Sequence, residues 1–452
     1  MTFLVLVLYA ALLAAAAVVV WRRPVAALFV FILGLALHNA TMDALYGAGV
    51  RGHSLTAIQT WKDVLLVVAF ARVALDALRA RALPFRPALP DAFALAFVAL
   101  VVLYALIPQD WLGGHATTKG IAYALRHDLT GAAAYFLGRS LVPDLHRTRW
   151  LILGVAAVVA VWGLIDVYAI SLDWWRHNGT VGYFRNQLDY RYTPALSRLP
   201  ENFVYNAGSE HEVLRRLIST FLSPLASAYL CAIALLLAPR VRLALPFAVL
   251  AAAGLLWTYT RAALIALAVA LVVVAVAWRR AWPLVAAVAV AVVGFAFVKA
   301  FPQIGPSTHY TQAELAWQRE NARPSTGDVQ VPTSTESHVS NFWDGVRTVV
   351  RHPYGFGLGN AGEIASRTGV KLQAGESNYT ELGVETGLLG ALLFIAWNVS
   401  ALWALVRGRR LDLAAALAFV LVVAVQTDAY GIPWLAYCLW WLAGSGLRLA
   451  RP

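Results

Sequence analysis

Long apolar tracts recur along almost the whole chain, and they restrict its fold more than any other feature. Residues 1–20, 151–170 and 263–278 are rich in Ala, Leu and Val and almost free of charge. About 20 such residues in a helix cross the hydrocarbon core of a bilayer, which is roughly 30 Å thick. Charged residues make up 13% of the 452 positions, about half the share that soluble domains carry. The sequence therefore predicts an all-α, polytopic integral membrane protein.

Short clusters of arginine separate the apolar tracts and indicate their orientation. Because such clusters stay on the cytoplasmic side of a membrane, we place these loops and the C-terminus there. A literal count gives thirteen spans, but residues 21–24 are a very short break and residues 123–142 carry charges that are costly in lipid. We therefore predict about twelve transmembrane helices. The clusters occupy residues 21–23, 79–86, 146–149, 239–242, 278–280, 407–410 and 448–451.

Two long polar segments interrupt this pattern on the side opposite the arginine clusters. Residues 173–211 and residues 301–381 are both rich in Trp, Tyr, Pro and Gly. In a bacterium this side is the periplasm, so we predict one membrane domain, residues 1–452, with a first periplasmic segment and a large helical periplasmic loop. Irregular backbone at membrane depth must be buried in protein or line a watery cavity. The larger loop is therefore expected to cover a cavity.

The net charge of +12 does not indicate nucleic-acid binding, because the arginines lie in the short loops where membrane topology requires them. Cys231 and Cys438 lie within apolar tracts and are predicted to be packing residues. The sequence has no HExxH or CxxC spacing for a metal and no GxSxG nucleophile motif. We therefore expect neither a metal site nor a cofactor.

A glycine-rich run and an acidic helix start stand out in the second polar segment. Residues 350–360 contain glycines at three alternate positions, which allow sharp turns and a close approach to a ligand or another helix. A tight turn without a ligand is the alternative. Residues 376–390 then open a span with three carboxylates. Helix capping explains some of these carboxylates. Glu385 lies further into the span and is predicted to face the bundle interior.

Arginines in the polar segments suggest an anionic ligand. Arg261 lies at the tip of an otherwise apolar helical hairpin, where it either snorkels to the interface or binds a phosphate in a bidentate manner. Orientation statistics should deplete arginine on this side, and only four residues of the chain are lysines. This enrichment favours recognition of a phosphate or an acidic glycan. The other arginines of the first polar segment and its end are Arg176, Arg185, Arg191, Arg198, Arg215 and Arg216.

His338 is the strongest candidate for a general base near neutral pH, with Glu336 close to it in sequence. A surface histidine without a function is the alternative. His309 and His352 are weaker candidates, and His352 is expected to belong to the turn before Pro353.

Four stretches, in this order along the chain, resemble motifs of the O-antigen ligase and polymerase superfamily, membrane enzymes that handle glycans linked to undecaprenyl diphosphate. Residues 216–224 resemble its arginine and Thr-Phe stretch that ends in proline, and residues 258–263 resemble its T-x-S-R turn. Residues 343–360 resemble its W…HP-x-x-G-x-G-x-G-N run, and residues 378–390 resemble its helix start with E-x-G-L-x-G. The resemblance covers roughly residues 180–400.

This resemblance implies an O-antigen ligase of the bacterial inner membrane whose active site faces the periplasm. It would transfer a glycan from undecaprenyl diphosphate to a sugar hydroxyl of lipid A–core in lipopolysaccharide synthesis, by inverting transfer that needs no metal. We assign diphosphate binding to Arg191 and Arg261, with Arg216 and Arg185 in support. The family places a histidine before the last of these motifs, where this sequence has Glu376 and Ser377. His338 is therefore the predicted base, and Glu376 is its rival.

Other functions remain open. An O-antigen polymerase or a protein O-oligosaccharyltransferase of the same superfamily would keep the chemistry and change the acceptor. A lipid or glycan transporter or flippase is the alternative from another class, but it predicts repeated halves and broken helices at the midplane, which the sequence does not indicate.

Overall fold

The computed structural model describes residues 2–190, 199, 202–205, 212–309, 312, 316, 334–371 and 377–449, with the backbone alone for residues 212 and 334–338. Almost all of them are helical. The helices are α1 Thr2–Arg22, α2 Ala26–Gly47, α3 His53–Gln59, α4 Trp61–Ala80, α5 Leu89–Leu106, α6 Gln109–Leu112, α7 Thr118–Ser140, α8 Leu145–Ala169, α9 Leu172–His177, α10 Thr180–Gly182, α11 Pro224–Leu237, α12 Leu245–Trp257, α13 Arg261–Trp278, α14 Ala281–Ile304, α15 Ser334–Arg351, α16 Gly362–Thr368, α17 Asn378–Arg407, α18 Leu411–Val423 and α19 Trp440–Leu449.

Helices α1, α2, α5, α8, α13, α14 and α17 are long and apolar enough to cross a membrane, judged by length and composition. Large apolar side chains stay exposed on the outside of the bundle, among them Phe3 at 80% and Val276 at 73%. Exposed apolar surface of this extent marks a contact with lipid. The chain is thus an all-α polytopic membrane protein, as predicted, while the total of about twelve crossings stays a prediction. Cys231 and Cys438 are both buried packing residues, as expected.

Helix α7 carries the charges that make residues 123–142 costly in lipid, and the bundle supplies a partner for each. Arg126 Nε lies 2.8 Å from Asp63 Oδ1. Arg139 Nε donates to Asp91 Oδ1 over 2.8 Å, and both side chains are buried. The Arg139 charge is therefore compensated inside the bundle, whereas Arg126 is exposed and pairs with Asp63 at the bundle surface.

A three-stranded antiparallel sheet joins the two polar segments at one end of the bundle. Its strands are β1 Val204–Tyr205, β2 Glu212–Arg215 and β3 Ser307–His309, in the order β1-β2-β3. Arg215 fixes this sheet to α8, because its Nη2 donates to Asp166 Oδ1 over 3.0 Å. The indole of Trp175 donates to the same carboxylate oxygen over 2.7 Å. We call this end of the bundle the loop face.

We predict that Arg139→Met destabilises the protein strongly, because it leaves the buried carboxylate of Asp91 without its partner. Removing one member of a buried ion pair costs about 3–5 kcal/mol. Arg147→Met is the matched control, since its pair with Asp144 is largely exposed and such pairs contribute about 0–1 kcal/mol. Thermal unfolding in detergent measures both. Equal midpoints for the two variants would contradict the prediction.

Candidate functional site

The glycine-rich run wraps around a break in helix α17. Gly387, with φ 74° and ψ −179°, interrupts the helix. The break frees backbone groups of the preceding turn, and the run satisfies them: Phe356 N–H donates to the Val384 carbonyl over 2.7 Å, and Gly357 N–H donates to the Glu385 carbonyl over 2.9 Å. The helix break and the loop therefore form one unit, since each completes the other's hydrogen bonds.

The three alternate glycines of this run all have positive φ, at 70° for Gly355, 92° for Gly357 and 80° for Gly359. A Cβ atom on Gly355 would lie 2.5 Å from the backbone nitrogen of Gly387. The close approach expected from the sequence is therefore an approach to another helix. The buried side chain of Asn360 closes the loop, because its Nδ2 donates to the Gly357 carbonyl over 2.9 Å.

A small cavity beside the start of α17 has a volume of about 10 Å³, the size that holds one water molecule. We call it the acidic cavity. Five carboxyl groups and one imidazole line it, so its polar lining is acidic and rich in hydrogen-bond acceptors. Its polar lining residues are His127, Asp128, Glu363, Asn378, Glu381, Glu385 and Asp428.

His127 lies between two carboxylates in the wall of this cavity. Its Nδ1 is 2.8 Å from Asp128 Oδ1, and its Nε2 is 3.0 Å from Asp428 Oδ2. Asp428 also accepts hydrogen bonds from Asn378 Nδ2 over 2.5 Å and from the Gly431 N–H over 2.8 Å. Burial opposes ionisation of Asp428, but His127 and these donors outweigh it and hold the pKa of this carboxyl below its usual value.

Glu385 is buried, as predicted, and its Oε1 accepts the Gly359 N–H over 2.8 Å. This carboxylate therefore anchors the glycine loop to α17. Glu381, one helical turn earlier, lies at the side of the cavity, where Gly362 leaves room for its carboxylate. Among the described residues no group donates a hydrogen bond to Glu381.

A second group of charges, the arginine site, consists of Arg216 and Arg261 with Tyr205, Thr258 and Thr260. Arg216 is buried and donates from Nε to the Thr258 carbonyl over 2.8 Å and from Nη2 to Thr260 Oγ1 over 3.0 Å. The guanidinium of Arg261 lies 5.4 Å from the ring centre of Tyr205. In the described part of the chain neither arginine forms an ion pair with a carboxylate.

Local backbone geometry creates this site. The chain turns tightly between α12 and α13, with Tyr259 at φ 51°, and its ring stacks on Phe301 with centroids 4.8 Å apart. Leu217 N–H donates to the Trp257 carbonyl over 3.0 Å, which holds the residues after β2 against the turn. Burial lowers the pKa of Arg216 to about 10, so its guanidinium remains charged near neutral pH.

One side chain links the arginine site to the acidic cavity. The hydroxyl of Tyr229 is close to the guanidinium of Arg216 and to the side chain of Thr427. Thr427 directly precedes Asp428, which lines the acidic cavity. A positive site and a negative site thus adjoin the same segment between α18 and α19.

An apolar groove lies between α15 and α17, with a volume of about 430 Å³. Helix α15 contributes the apolar face of an amphipathic helix, which suits a lipid interface. The polar groups at its edge, Tyr379 and Thr380, belong to the first turn of α17. The groove is lined by Phe342, Val346, Val349, Val350, Tyr379, Thr380, Leu388, Ala391, Ile395 and Val425.

Of the residues predicted to form the site, the structure brings Arg216 and Arg261 together. Arg185 lies in the π-helical turn Tyr183–Gln187 with an exposed side chain, and no described contact joins it to the arginine site. Arg191 and Glu376 lie outside the described residues. His338 belongs to α15, but its side chain is also outside the described part.

Sequence reasoning missed the role of His127 and Asp428. It also missed Lys62, a buried lysine whose Nζ donates to the Gln59 carbonyl over 3.0 Å and lies 3.1 Å from His38 Nε2. A signal was present, because ionisable residues inside otherwise apolar tracts of a membrane protein are often functional. The pairing of His127 with Asp428 joins positions 301 residues apart, so spacing along the chain could not predict it.

Residues 246–395 match the family model for the O-antigen ligase domain. Over these residues, a third of its length, the chain is similar to the O-antigen ligase family. The matched part contains the turn with Arg261, the glycine loop and the first half of α17. Members of the family are membrane glycosyltransferase-like enzymes that act on lipid-linked glycans. No curated protein matches the chain.

We predict that Gly355→Ala disrupts the loop far more than Gly49→Ala does. Both glycines have positive φ, which costs a residue with a Cβ roughly 1–2 kcal/mol. Only at Gly355 would the added atom also meet backbone, whereas nothing lies within 4 Å of a Cβ on Gly49. The thermal midpoint in detergent should therefore fall further for Gly355→Ala. A fall of the same size in both variants would mean that backbone strain alone accounts for it.

Proposed function

We propose that this protein is an O-antigen ligase that transfers a glycan from undecaprenyl diphosphate to a sugar hydroxyl of lipid A–core. The observation that carries the proposal is the pair of guanidiniums, Arg216 and Arg261, without a carboxylate partner among the described residues. A buried charge that the protein leaves uncompensated favours a ligand of opposite charge. A lipid diphosphate is such a ligand.

The hydrogen bonds of Arg216 support this assignment. Its described acceptors are the neutral oxygens of Thr258, Thr260 and Asn202, which fix the guanidinium without neutralising it. Arg261 is half-buried, and its guanidinium lies over the ring of Tyr205. Arginine suits this role because its planar fork matches phosphate oxygens. Arg191 and Arg185 would contact the same diphosphate from the first polar segment.

In the proposed reaction a base takes the proton of the acceptor hydroxyl, and the hydroxyl oxygen forms a bond to the anomeric carbon of the donor. The bond between that carbon and the phosphate oxygen breaks, and the diphosphate leaves with the electron pair. The arginines stabilise the charge that develops on the leaving group. One displacement inverts the anomeric centre. We assign the base to His338, with Glu376 as its rival.

The apolar groove supports a lipid substrate. Its lining residues are mostly aliphatic or aromatic, and its volume of about 430 Å³ accommodates a stretch of hydrocarbon chain. Burial of hydrocarbon contributes about 0.8 kcal/mol per CH₂ group. The groove runs beside the first turns of α17, so a lipid chain held there would keep its polar head near the loop face. We place that face in the periplasm and the bundle in the inner membrane, because arginine clusters mark the opposite side.

An O-antigen polymerase or a protein O-oligosaccharyltransferase would use the same donor site, and the acceptor separates them from a ligase. We predict that deleting the gene in its host leads to lipid-linked polymer accumulating beside bare lipid A–core. Gel electrophoresis of lipopolysaccharide and analysis of extracted lipid-linked glycan measure this. A core that carries a single repeat unit would indicate a polymerase instead.

We further predict that Arg261→Ala or His338→Ala in the deletion strain leaves lipopolysaccharide without O-antigen, although the protein still reaches the membrane. The first change removes a charge that binds the diphosphate, and the second removes the base. Arg347→Ala is the matched control, because this exposed arginine of α15 pairs with Asp344 on the protein surface. A full O-antigen ladder from either test variant would refute the role of that residue.

If the protein were a transporter or flippase, the purified protein would give the opposite result to a ligase. A ligase in detergent should transfer glycan from the lipid diphosphate to purified lipid A–core. A flippase should instead move lipid-linked glycan across reconstituted vesicles and transfer nothing.

A further inference from the structure

The hydrogen bonds of the acidic cavity leave two carboxylates incompletely satisfied. Glu385 accepts from the glycine loop, and Asp428 accepts from His127 and Asn378. Glu381, in contrast, has no donor among the described residues. Asp128 is 1% exposed, and its Oδ2 atom has no hydrogen-bond partner. The unpaired Asp128 oxygen is buried, which is costly, and the carboxyl group of Glu381 is half-buried at the side of the cavity. The cavity is therefore suited to a ligand that donates hydrogen bonds.

The size of the cavity limits that ligand to one small group. A volume of about 10 Å³ holds the oxygen of one water molecule or of one hydroxyl group. The cavity is reachable from the loop face, because Glu363 in its lining is exposed and Glu381 is half-buried. A larger molecule can therefore insert a single hydroxyl while the rest of it stays outside.

Charge restricts the ligand further. Acidic groups line this cavity and no arginine or lysine among the described residues does, which disfavours a phosphate or an acidic sugar there. We therefore assign the diphosphate of the donor to the arginine site. Among the described residues no set of His, Cys, Asp and Glu is arranged to hold a metal ion. The cavity thus fits a hydrogen-bond donor without negative charge, and hydroxyl groups of uncharged sugars belong to that class.

We propose that the acidic cavity is the acceptor subsite and that Glu381 binds a hydroxyl group of an uncharged acceptor sugar. This inference rests on the proposed function, which supplies the transfer reaction. Asp128 Oδ2 accepts the same hydroxyl or a neighbouring one from the inner side. The link through Tyr229 and Thr427 puts this subsite next to the arginine site, as an acceptor and a donor that react together require.

The test is a transfer assay with the purified full-length protein in detergent. The donor is undecaprenyl-diphosphate-linked glycan, and the acceptor is lipid A–core purified from a strain without O-antigen. We expect Glu381→Gln to raise the KM for lipid A–core about tenfold or more, because a weaker amide oxygen replaces the carboxylate as the hydrogen-bond acceptor. The KM for the donor should stay within about twofold of the wild-type value. This split distinguishes a subsite from a structural role, which would change both constants.

Asp344→Asn is the matched control, since this exposed carboxylate of α15 lies on an outer surface and should leave both KM values unchanged. Glu381→Asp, which keeps the charge and shortens the side chain, should give an intermediate KM for lipid A–core and replaces Glu381→Gln if that variant does not fold. An unchanged acceptor KM in a variant of Glu381, with an active wild-type enzyme, overturns this inference alone. A wild-type enzyme that transfers nothing overturns the proposed function and this inference with it.

Discussion

The imidazole of His127 lies between the carboxylates of Asp128 and Asp428, and this contact connects helix α7 to the segment that follows α18. Asn378 joins the same carboxylate from the first turn of α17. Three parts of the chain that are distant in sequence therefore meet at the half-buried carboxylate of Asp428. Because a buried charge without a partner is costly, each of these elements fixes the position of the other two, and the loop face is built around them.

The arginine site and the acidic cavity lie near the same segment between α18 and α19, and Asp428 of that segment lines the acidic cavity. The arginine site leaves two positive charges without a carboxylate, and the acidic cavity leaves acceptor groups without donors. A reaction between an anionic donor and a neutral hydroxyl acceptor needs this separation, because each substrate is then attracted to one site and excluded from the other. Thr427 and Asp428 are consecutive residues, and Tyr229 lies close to Thr427. The two sites therefore lie near the same short segment.

Much of the helical bundle could be predicted from composition and periodicity, because an apolar chain in lipid must satisfy its backbone hydrogen bonds internally. The glycine-rich run was predicted to allow a close approach, and it does so against the break at Gly387. The burial of Glu385 was also predicted correctly. The alternative functions of Arg261 could not be separated from sequence, because snorkelling and ligand binding require the same residue type. The structure places Arg261 beside Arg216, and ligand binding by Arg261 stays a prediction.

The sequence by itself determined that this chain is a helical membrane protein with arginine-rich short loops, two polar segments and a glycine loop before an acidic helix start. Those features are local, since each depends on residue types within one span or one turn. Only the tertiary structure decided which charges meet. His127 and Asp428 are separated by 301 positions, and Arg216 reaches Thr258 and Thr260 across two helices. The packing of the bundle determines which charged groups meet, and the periodicity of the sequence contains no information about that packing.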